Sequence, residues 1–306
     1  MIFKKSQSAM EYLMTYGWAI ILIAVVLGVL FQLGVFSSGN ITPKAQPGSC
    51  QVIRENTATQ SLASFAGSCV NEVPEYTGSF DGDYGGFSYP SGYDSNSFIT
   101  ATVSSTMSGT NVPFTITMWI YVPTNFSKSN IPVFGMSTYQ AYEYFRGGVS
   151  TSSEFMLHRC NSADTAESSL PLMSFGRWHF IAVSVSAPNY RFMLDGNSTT
   201  VTNGYDYNFN NNVVIGTQQA QCDGTFFTGG IADVQLYNTS LSVSELKTLY
   251  LEGIGGDPID LSSLVGWWPL NGNAQDYSGN NYNGQINGHV SFNGSWIGSY
   301  VPPSAT

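Results

Sequence analysis

From Tyr12 to Phe36 the chain carries no charged residue, and at about 1.5 Å of helical rise per residue such a run matches a hydrocarbon layer of roughly 30 Å. A single transmembrane α-helix is therefore predicted near the N-terminus. Lys4 and Lys5 stand just before it, so the positive-inside rule keeps the first residues cytoplasmic and places everything after Phe36 outside. A cleaved secretory signal has a short core followed by small residues at its cut site, whereas this core runs through Trp18, Val26 and Phe31 and ends in FSSGN. Beyond it, GNITPKAQPGS from residue 39 reads as a Pro/Gly linker, and QVIRENTATQSLASFAG has no strong period and reads as a small cap.

From about residue 76 the pattern switches to short alternating strands separated by turn residues. In FTITMWIYV, Phe114, Ile116, Met118, Ile120 and Val122 share one strand face, and in RWHFIAVSVS, Ile181, Val183 and Val185 do the same. YRFMLDGNSTTV predicts a hairpin whose Asp195-Gly196 corner supplies positive φ. NNNVVIGT and FTGGIADVQLYN add two strands. NTSLSVSELKTLY predicts one short helix, with Ser242 and Glu245 as a capping box and Leu241 with Leu246 as a hydrophobic staple. The fold class is mainly β, a sandwich behind one N-terminal membrane helix.

Charge narrows the partners. Only 10% of residues are charged and the formal net charge is -10, which disfavours nucleic acid, because that partner needs a basic face. An acidic surface rich in Ser, Thr, Asn and Gly suits a protein outside the cell and attracts divalent cations. Five N-x-S/T sequons begin at Asn40, Asn125, Asn197, Asn238 and Asn293, all beyond the membrane segment, as glycosylation of an exported chain requires. Four cysteines, Cys50, Cys69, Cys160 and Cys222, have no zinc spacing and suggest disulfides in an oxidising compartment. Cys50 and Cys69 bracket a local loop, which favours Cys50 with Cys69 and Cys160 with Cys222; four buried or free thiols are the other reading.

KKSQSAMEYL resembles the class III signal of archaeal type IV pilin-like proteins, over about the first 36 residues. The resemblance implies that a prepilin-type peptidase cuts between Ser6 and Gln7, although Ser6 stands where the family usually has glycine, and that Glu11 is the glutamate at the fifth mature position. Such a cut leaves eight basic against 20 acidic residues, a net of -12. A carboxylate at the membrane edge is costly unless paired. Glu11 therefore suits the new amino group of Gln7, in its own subunit or in a neighbour of a homo-oligomeric filament. A glutamate snorkelling into headgroups on a plain anchor is the blander alternative. Gly17, Gly28 and Gly34 permit close helix packing, though glycine is common in membrane helices anyway.

The order FTITMWIYV, RWHFIAVSVS, YRFMLDGN, VVIGT, GGIADVQLYNTSLSVSELKTLY resembles the laminin-G-like, concanavalin A-like jelly roll across about residues 76 to 250. That family is a two-sheet β-sandwich used largely to recognise carbohydrate and protein, and its fold alone does not fix function. LVGWWPLNGNAQDYSGNNYNGQINGHVSFNGSWIGSY, residues 264 to 300, looks like the same family's opening strands placed after the closing helix. Joining Tyr300 to Tyr76 restores the family order, so a circularly permuted single domain is expected. A truncated second module is disfavoured, since about 40 residues cannot bury a core. The expected organisation is a leader over 1–6, a pilin-like helix over 7–38, linker and disulfide-bearing cap over 39–75, and the jelly roll over 76–306, with 264–300 supplying its permuted opening strands.

Some relatives of this jelly roll are glycosidases, whose mechanism needs two carboxylates across the scissile bond. No E-x-D-x-x-E run is present, IADVQLY offers only Asp233, His158, His179 and His289 sit apart in sequence, and neither G-x-S-x-G nor H-E-x-x-H occurs. The chain is accordingly read as a non-enzyme. The resemblance implies a structural Ca2+ at Asp233 and Asp276, hard cations requiring clustered oxygens; Asp276 as a turn residue bonding its own backbone is the alternative. Loop aromatics suited to stacking on sugars are Tyr84, Phe87, Tyr89, Tyr93, Tyr139, Tyr142, Tyr144, Tyr205 and Tyr207. The alternative use of each is core or rim packing.

These readings converge on a single-pass cell-membrane protein with an extracellular C-terminal domain, a pilin-like subunit that displays a jelly roll for adhesion to glycans or cell surfaces. An anchored lectin that never polymerises and a cell-surface glycan hydrolase are the alternatives. The mature N-terminus is expected to be Gln7, read by mass spectrometry of the native protein; a surface-exposed chain that still begins at Met1 would sink the processing claim.

Overall fold

The computed structural model describes residues 16, 19–28, 50–54, 63–67, 73–81, 97–126, 130–136, 145–150, 155–158, 165–171, 173–204, 206–217, 226–294, 296 and 299–303. The chain divides into two compact units, Met1–Lys44 and Ala45–Thr306. In the first, residues 16 and 19–28 are helical and exposed, among them Ile20, Ile21, Leu22, Ile23, Val25, Val26 and Leu27. Among the described residues no helix is long and apolar enough to cross a membrane. Ser6, Gln7 and Glu11 lie outside the described residues.

The second unit is built almost wholly of strands. In chain order these begin with β1 (Cys50–Arg54), β2 (Ala63–Gly67), β3 (Thr77–Asp81), β4 (Phe98–Thr102), β5 (Gly109–Thr110), β6 (Phe114–Tyr121) and β7 (Asn130–Met136). They continue with β8 (Phe145–Ser150), β9 (Phe155–His158), β10 (Thr165–Glu167), β11 (Trp178–Ser186), β12 (Asn189–Leu194), β13 (Asn197–Thr202), β14 (Asn208–Phe209), β15 (Asn212–Ile215) and β16 (Thr228–Tyr237). Helix α1 (Val243–Glu252) then precedes β17 (Leu264–Trp268), β18 (Gln285–Asn287) and β19 (Val290–Asn293). An eight-stranded sheet runs β13-β12-β11-β6-β16-β3-β19 with β17 also on β16, and faces a seven-stranded sheet of order β10-β9-β8-β7-β15-β4-β18. This is a mainly β, concanavalin A-like sandwich.

Period-two geometry explains the layers. Phe114, Ile116, Met118, Ile120 and Val122 join Ile181, Val183 and Val185 in a core that also takes Ile99, Ala101, Val133, Val213 and Ile215 from the facing sheet. Each such buried side chain stabilises by roughly 1.5–3 kcal/mol. The alternate residues of β6 and β11 look outward, where Trp119 and Phe180 form a second apolar cluster with Leu246 and Leu249 of α1 and with Leu264, Trp267, Tyr277 and Trp296. That outer layer exists because α1 and the tail lie over the sheet. Helix α1 starts on the capping box: Ser242 Oγ accepts from Glu245 N at 3.3 Å, and Glu245 Oε2 accepts from Ser242 N at 2.7 Å.

The tail adds strands to both sheets. β17 pairs with β16, β18 with β4 and β19 with β3, all antiparallel. Trp268 and Leu270 reach the inter-sheet core at 0% exposure, and the Trp268 indole N–H donates to Tyr282 O at 2.9 Å. The cap, which has no periodicity to announce it, forms the β1–β2 hairpin. It docks on the tail: Val52 N donates to Tyr277 O at 3.0 Å, and Arg54 donates from Nε to Ser278 O at 3.2 Å and from Nη2 to Leu264 O. Gly279 is required there, since it has φ +84° and a Cβ would fall 2.5 Å from Val52 O. Cys50 lies in a disulfide whose partner is outside the described residues, as are Cys69, Cys160 and Cys222. Opposite Cys50 in the hairpin is Gly67.

Because Trp268 comes from the tail and lies in the central core, Trp268→Ala is expected to lower the unfolding free energy by about 3–5 kcal/mol, measured by denaturant titration. A loss below about 1 kcal/mol would mean that the core does not depend on the tail.

Candidate functional site

The outer face of the eight-stranded sheet is left open beside α1. Strand register places Ser291 opposite Ser79, Ser79 opposite Gly230, Gly230 opposite Tyr121 and Tyr121 opposite Trp178. Because Phe80, Ile120 and Ile231 point into the core, this row faces outward. A cleft of about 700 Å³ lies over it, within the size range of small-molecule sites. Thr77, Ser79, Thr228, Gly229 and Gly230 supply a small, hydroxyl-bearing floor; Tyr121, Trp178 and Trp296 supply an aromatic wall. Asp81, His289, Asn293 and Ser299 also line it.

Glycine decides how the wall stands. A Cβ on Gly230 would fall 2.6 Å from the Trp178 ring, so only glycine lets that indole lie down on the sheet. Trp178 then meets Tyr121 at 5.8 Å between centroids and Trp296 edge-to-face at 6.2 Å. The two indoles are 5% exposed, while Tyr121 is half-buried. The indole N–H groups of Trp178 and Trp296 are buried with no hydrogen-bond partner among the described residues. An unpaired buried donor costs on the order of 1–3 kcal/mol, a cost the packing of this wall carries. Asp81 and His289 are exposed, and no Lys or Arg is among the described lining residues.

Asp233 and Asp276, the residues expected to hold calcium, are both brought to Trp267. Asp276 Oδ1 accepts from Trp267 N at 2.9 Å and Ser278 N at 2.8 Å, and its Oδ2 accepts from Ser278 Oγ at 2.9 Å and Tyr282 N at 2.8 Å. Those four donors occupy the carboxylate. Asp233 Oδ1 accepts from the Trp267 indole at 2.9 Å, and Gln235 Nε2 donates to both Asp233 oxygens at 3.0 and 3.1 Å. Its backbone has φ +49° at the bulge where β16 exchanges β3 for β17 as neighbour. Donors surround both aspartates where a hard cation needs six to eight oxygens, and among the described residues no three His, Cys, Asp or Glu side chains gather. The two residues do not fit a calcium cage; they fit a hydrogen-bonded joint between tail and sheet.

His179 belongs to another joint. Its Nδ1 lies 2.6 Å from Asp195 Oδ2, and its Nε2 lies 2.7 Å from the carbonyl of Ser174 and 3.1 Å from Ser174 Oγ. Arg177 Nε also donates to Nε2 at 3.2 Å, and the ring is 2% exposed, so both imidazole nitrogens are occupied by neighbours within the fold. Asp195 also accepts from Phe180 N at 2.9 Å and from Arg177 at 3.2 Å. The group clamps the Asp195-Gly196 turn, where both residues have positive φ, against β11.

Tyr207 is a correction. It is 1% exposed, meets Tyr190 edge-to-face at 5.2 Å and stacks on Phe209 at 6.3 Å, so it fills the core and has no face to offer a ligand. Tyr84, Tyr89, Tyr93, Tyr142, Tyr144 and Tyr205 lie outside the described residues, with Phe87 and Tyr139. Of the sequon asparagines, Asn125, Asn197, Asn238 and Asn293 are exposed, Asn293 at the cleft itself, and Asn40 lies outside the described residues. Sequence reasoning missed Tyr121, Trp178 and Trp296. Its signal was the phase of FTITMWIYV, where Trp119 and Tyr121 occupy the face shared with Thr115 and Thr117.

A two-sheet jelly roll with an aromatic cleft beside its surface helix defines a lectin-like sandwich. Residues 91–247 match the laminin-G type family described as the concanavalin A-like lectin/glucanases superfamily, and the chain belongs to that family. No curated protein matches the sequence. Among solved structures, a Bacteroides ovatus ATCC 8483 protein proposed to bind carbohydrate is similar at 15% identity and TM-score 0.50, over 78% of this chain and 65% of that one. A heptameric SAP-like pentraxin from Limulus polyphemus is similar at 14% identity and TM-score 0.49, over 72% of this chain and 94% of that one. Domains LG4-5 of the mouse laminin alpha1 chain are similar at 14% identity and TM-score 0.39, over 61% of this chain and 46% of that one.

The buried joint carries a pH dependence. Burial, partly offset by the Gln235 and Trp267 hydrogen bonds, raises the Asp233 carboxyl from 3.8 to about 7, and Asp257 adds to the rise. With the folded value above the unfolded one, the group's favourable contribution is complete below pH 3.8 and is lost between there and about pH 7, at no more than about 1.4 kcal/mol per pH unit. Denaturant midpoints at pH 5, 6 and 7 are expected to fall more steeply in the native chain than in Asp233→Asn. Parallel slopes would show that Asp233 does not gain a proton on folding.

Proposed function

We propose that this is a membrane-anchored surface protein whose jelly roll recognises carbohydrate through the cleft on its helix-bearing face. The observation that carries the reading is the cleft itself: a half-buried tyrosine beside two indoles over a hydroxyl-rich floor suits a ligand that has apolar C–H faces and many hydroxyls. Membership of a lectin-like family and the carbohydrate role proposed for the Bacteroides ovatus protein point the same way. Nothing in the His179 clamp or at Asp233 offers a free general base with a paired acid, which favours recognition over cleavage.

The uncharged run before Phe36 is the proposed anchor, and the QSAMEYL signature supports processing at Ser6/Gln7 and assembly through Glu11. A filament of such subunits would present many copies of the cleft, and adhesion gains from that multivalency. We further read residues 264–300 as the family's opening strands carried behind α1. β17, β18 and β19 join both sheets. The start of the body runs beside the tail, with Tyr76 N donating to Asn271 Oδ1 at 2.9 Å and Glu75 O 3.3 Å from the Cβ position of Gly294.

Tyr121→Ala removes the exposed stacking face without opening the inter-sheet core. Glycan-array binding followed by calorimetry is expected to show affinity falling at least about tenfold, or about 1.4 kcal/mol, with the unfolding midpoint little changed. Binding that ignores the substitution would move the site elsewhere, and silence on every glycan would leave a structural surface protein.

A further inference from the structure

We infer that the cleft selects an uncharged glycan and holds it without calcium, an inference that rests on the cleft being the glycan site. Three observations carry it. The described lining holds no Lys or Arg, so a uronate, sialate or sulfate group entering it would lose its hydration and meet no counter-charge. Its one carboxylate, Asp81, is exposed, and the chain as a whole has net charge -10; both repel anions at a distance and at contact. Beside Asp81 and the indoles, the polar side chains of the described lining are those of Thr77, Ser79, Tyr121, Thr228, His289, Asn293 and Ser299, which both donate and accept, as sugar hydroxyls do.

A cationic amino sugar is the competing occupant, because aromatic rings and a carboxylate attract cations. The disposition of charge argues against it. Asp81 stands exposed at the end of β3, whereas the indoles in the wall are buried, so a cation in the cleft finds no open indole face to stack on. A metal-bridged ligand is disfavoured as well: Asp81 and His289 are the only His, Cys, Asp or Glu among the described lining residues, one carboxylate where calcium takes six to eight oxygens.

The test uses the full chain in detergent, made in a host that adds no N-glycans, because Asn293 lines the cleft and is a sequon asparagine. Four probes are titrated by calorimetry with calcium and again with EDTA: manno-oligosaccharide, N-acetylated chito-oligosaccharide, oligogalacturonate and deacetylated chitosan oligomer. A neutral probe is expected to bind at least tenfold more tightly than either charged one, with affinity unchanged by EDTA and lowered by Tyr121→Ala. Tighter binding of oligogalacturonate, tighter binding of chitosan that Asp81→Asn abolishes, or loss of binding in EDTA would each overturn the inference while leaving a glycan site. Failure of every probe and of a wider glycan array would overturn the reading of the cleft itself.

Discussion

Trp267 is the residue through which the tail is tied to the rest of the sandwich. Its backbone N–H is held by Asp276 and its indole N–H by Asp233, so one side chain fixes the tail's tight turn and β16 together. The constraint behind it is an edge problem. β16 pairs with β6 along one side, but on the other β3 covers only its first residues, to Ile231. Without β17, the stretch from Val234 to Tyr237 would present unpaired backbone beside an exposed apolar core. The Asp233 bulge is where the strand bends between its two neighbours, and a buried carboxylate costs stability wherever it stays ionised. We read that cost as the reason its value rises toward neutrality: the joint is kept by donors specific enough to fix register, and the proton supplies what hydration no longer can.

The cleft inherits this dependence. Its floor comes from β3, β6 and β16, while Asn293, Trp296 and Ser299 come from the tail. Trp296 in turn packs on Tyr300, which meets Trp119 edge-to-face and accepts from Ile254 N at 3.1 Å. The outer apolar cluster and the recognition surface are thus one continuous layer, from α1 through Trp119 to Trp178. A substitution that loosens the tail would remove a wall of the cleft before it unfolded the sandwich, since outer-layer contacts are fewer than those of the inter-sheet core.

Much of the architecture was legible because it depends on period two. Strands β6, β11, β12 and β16 follow from alternation, the Asp195-Gly196 corner from its need for positive φ, and the start of α1 from its capping box. The β1–β2 hairpin was not legible: CQVIR buries Cys50 and Val52 against Tyr277 and Trp267, more than 200 residues away in sequence, and no local pattern encodes a partner that distant. Asp276 was read both as a ligand and as a turn residue; its four donors select the turn. Tyr207 was misread because aromatic density in GYDYNFNN says nothing about which rings turn inward. Tyr121 and Trp178 were not legible for the converse reason: alternation marks each strand's core face, and nothing in it separates an outward residue covered by the helix from one at a cleft.

That opposite face shows how one alternating strand can do two jobs. In β6 the inward residues are all apolar and could be exchanged for others of similar volume at modest cost. Three of the outward residues have separate partners: Thr115 donates to Thr239 O and accepts from Leu241 N to start the turn into α1, Trp119 donates to Gly253 O to end the helix, and Tyr121 reaches the cleft. Position along the strand therefore sorts function, from helix anchoring to ligand contact, at two-residue steps of about 7 Å. A recognition site placed on such a strand has its spacing set by the backbone, so its geometry is as rigid as the core beneath it, and ligand selection is left to the few side chains on one face. Among the described lining residues those side chains are neutral where they are buried and charged only where they meet solvent, an arrangement suited to discrimination by hydrogen bonding and shape.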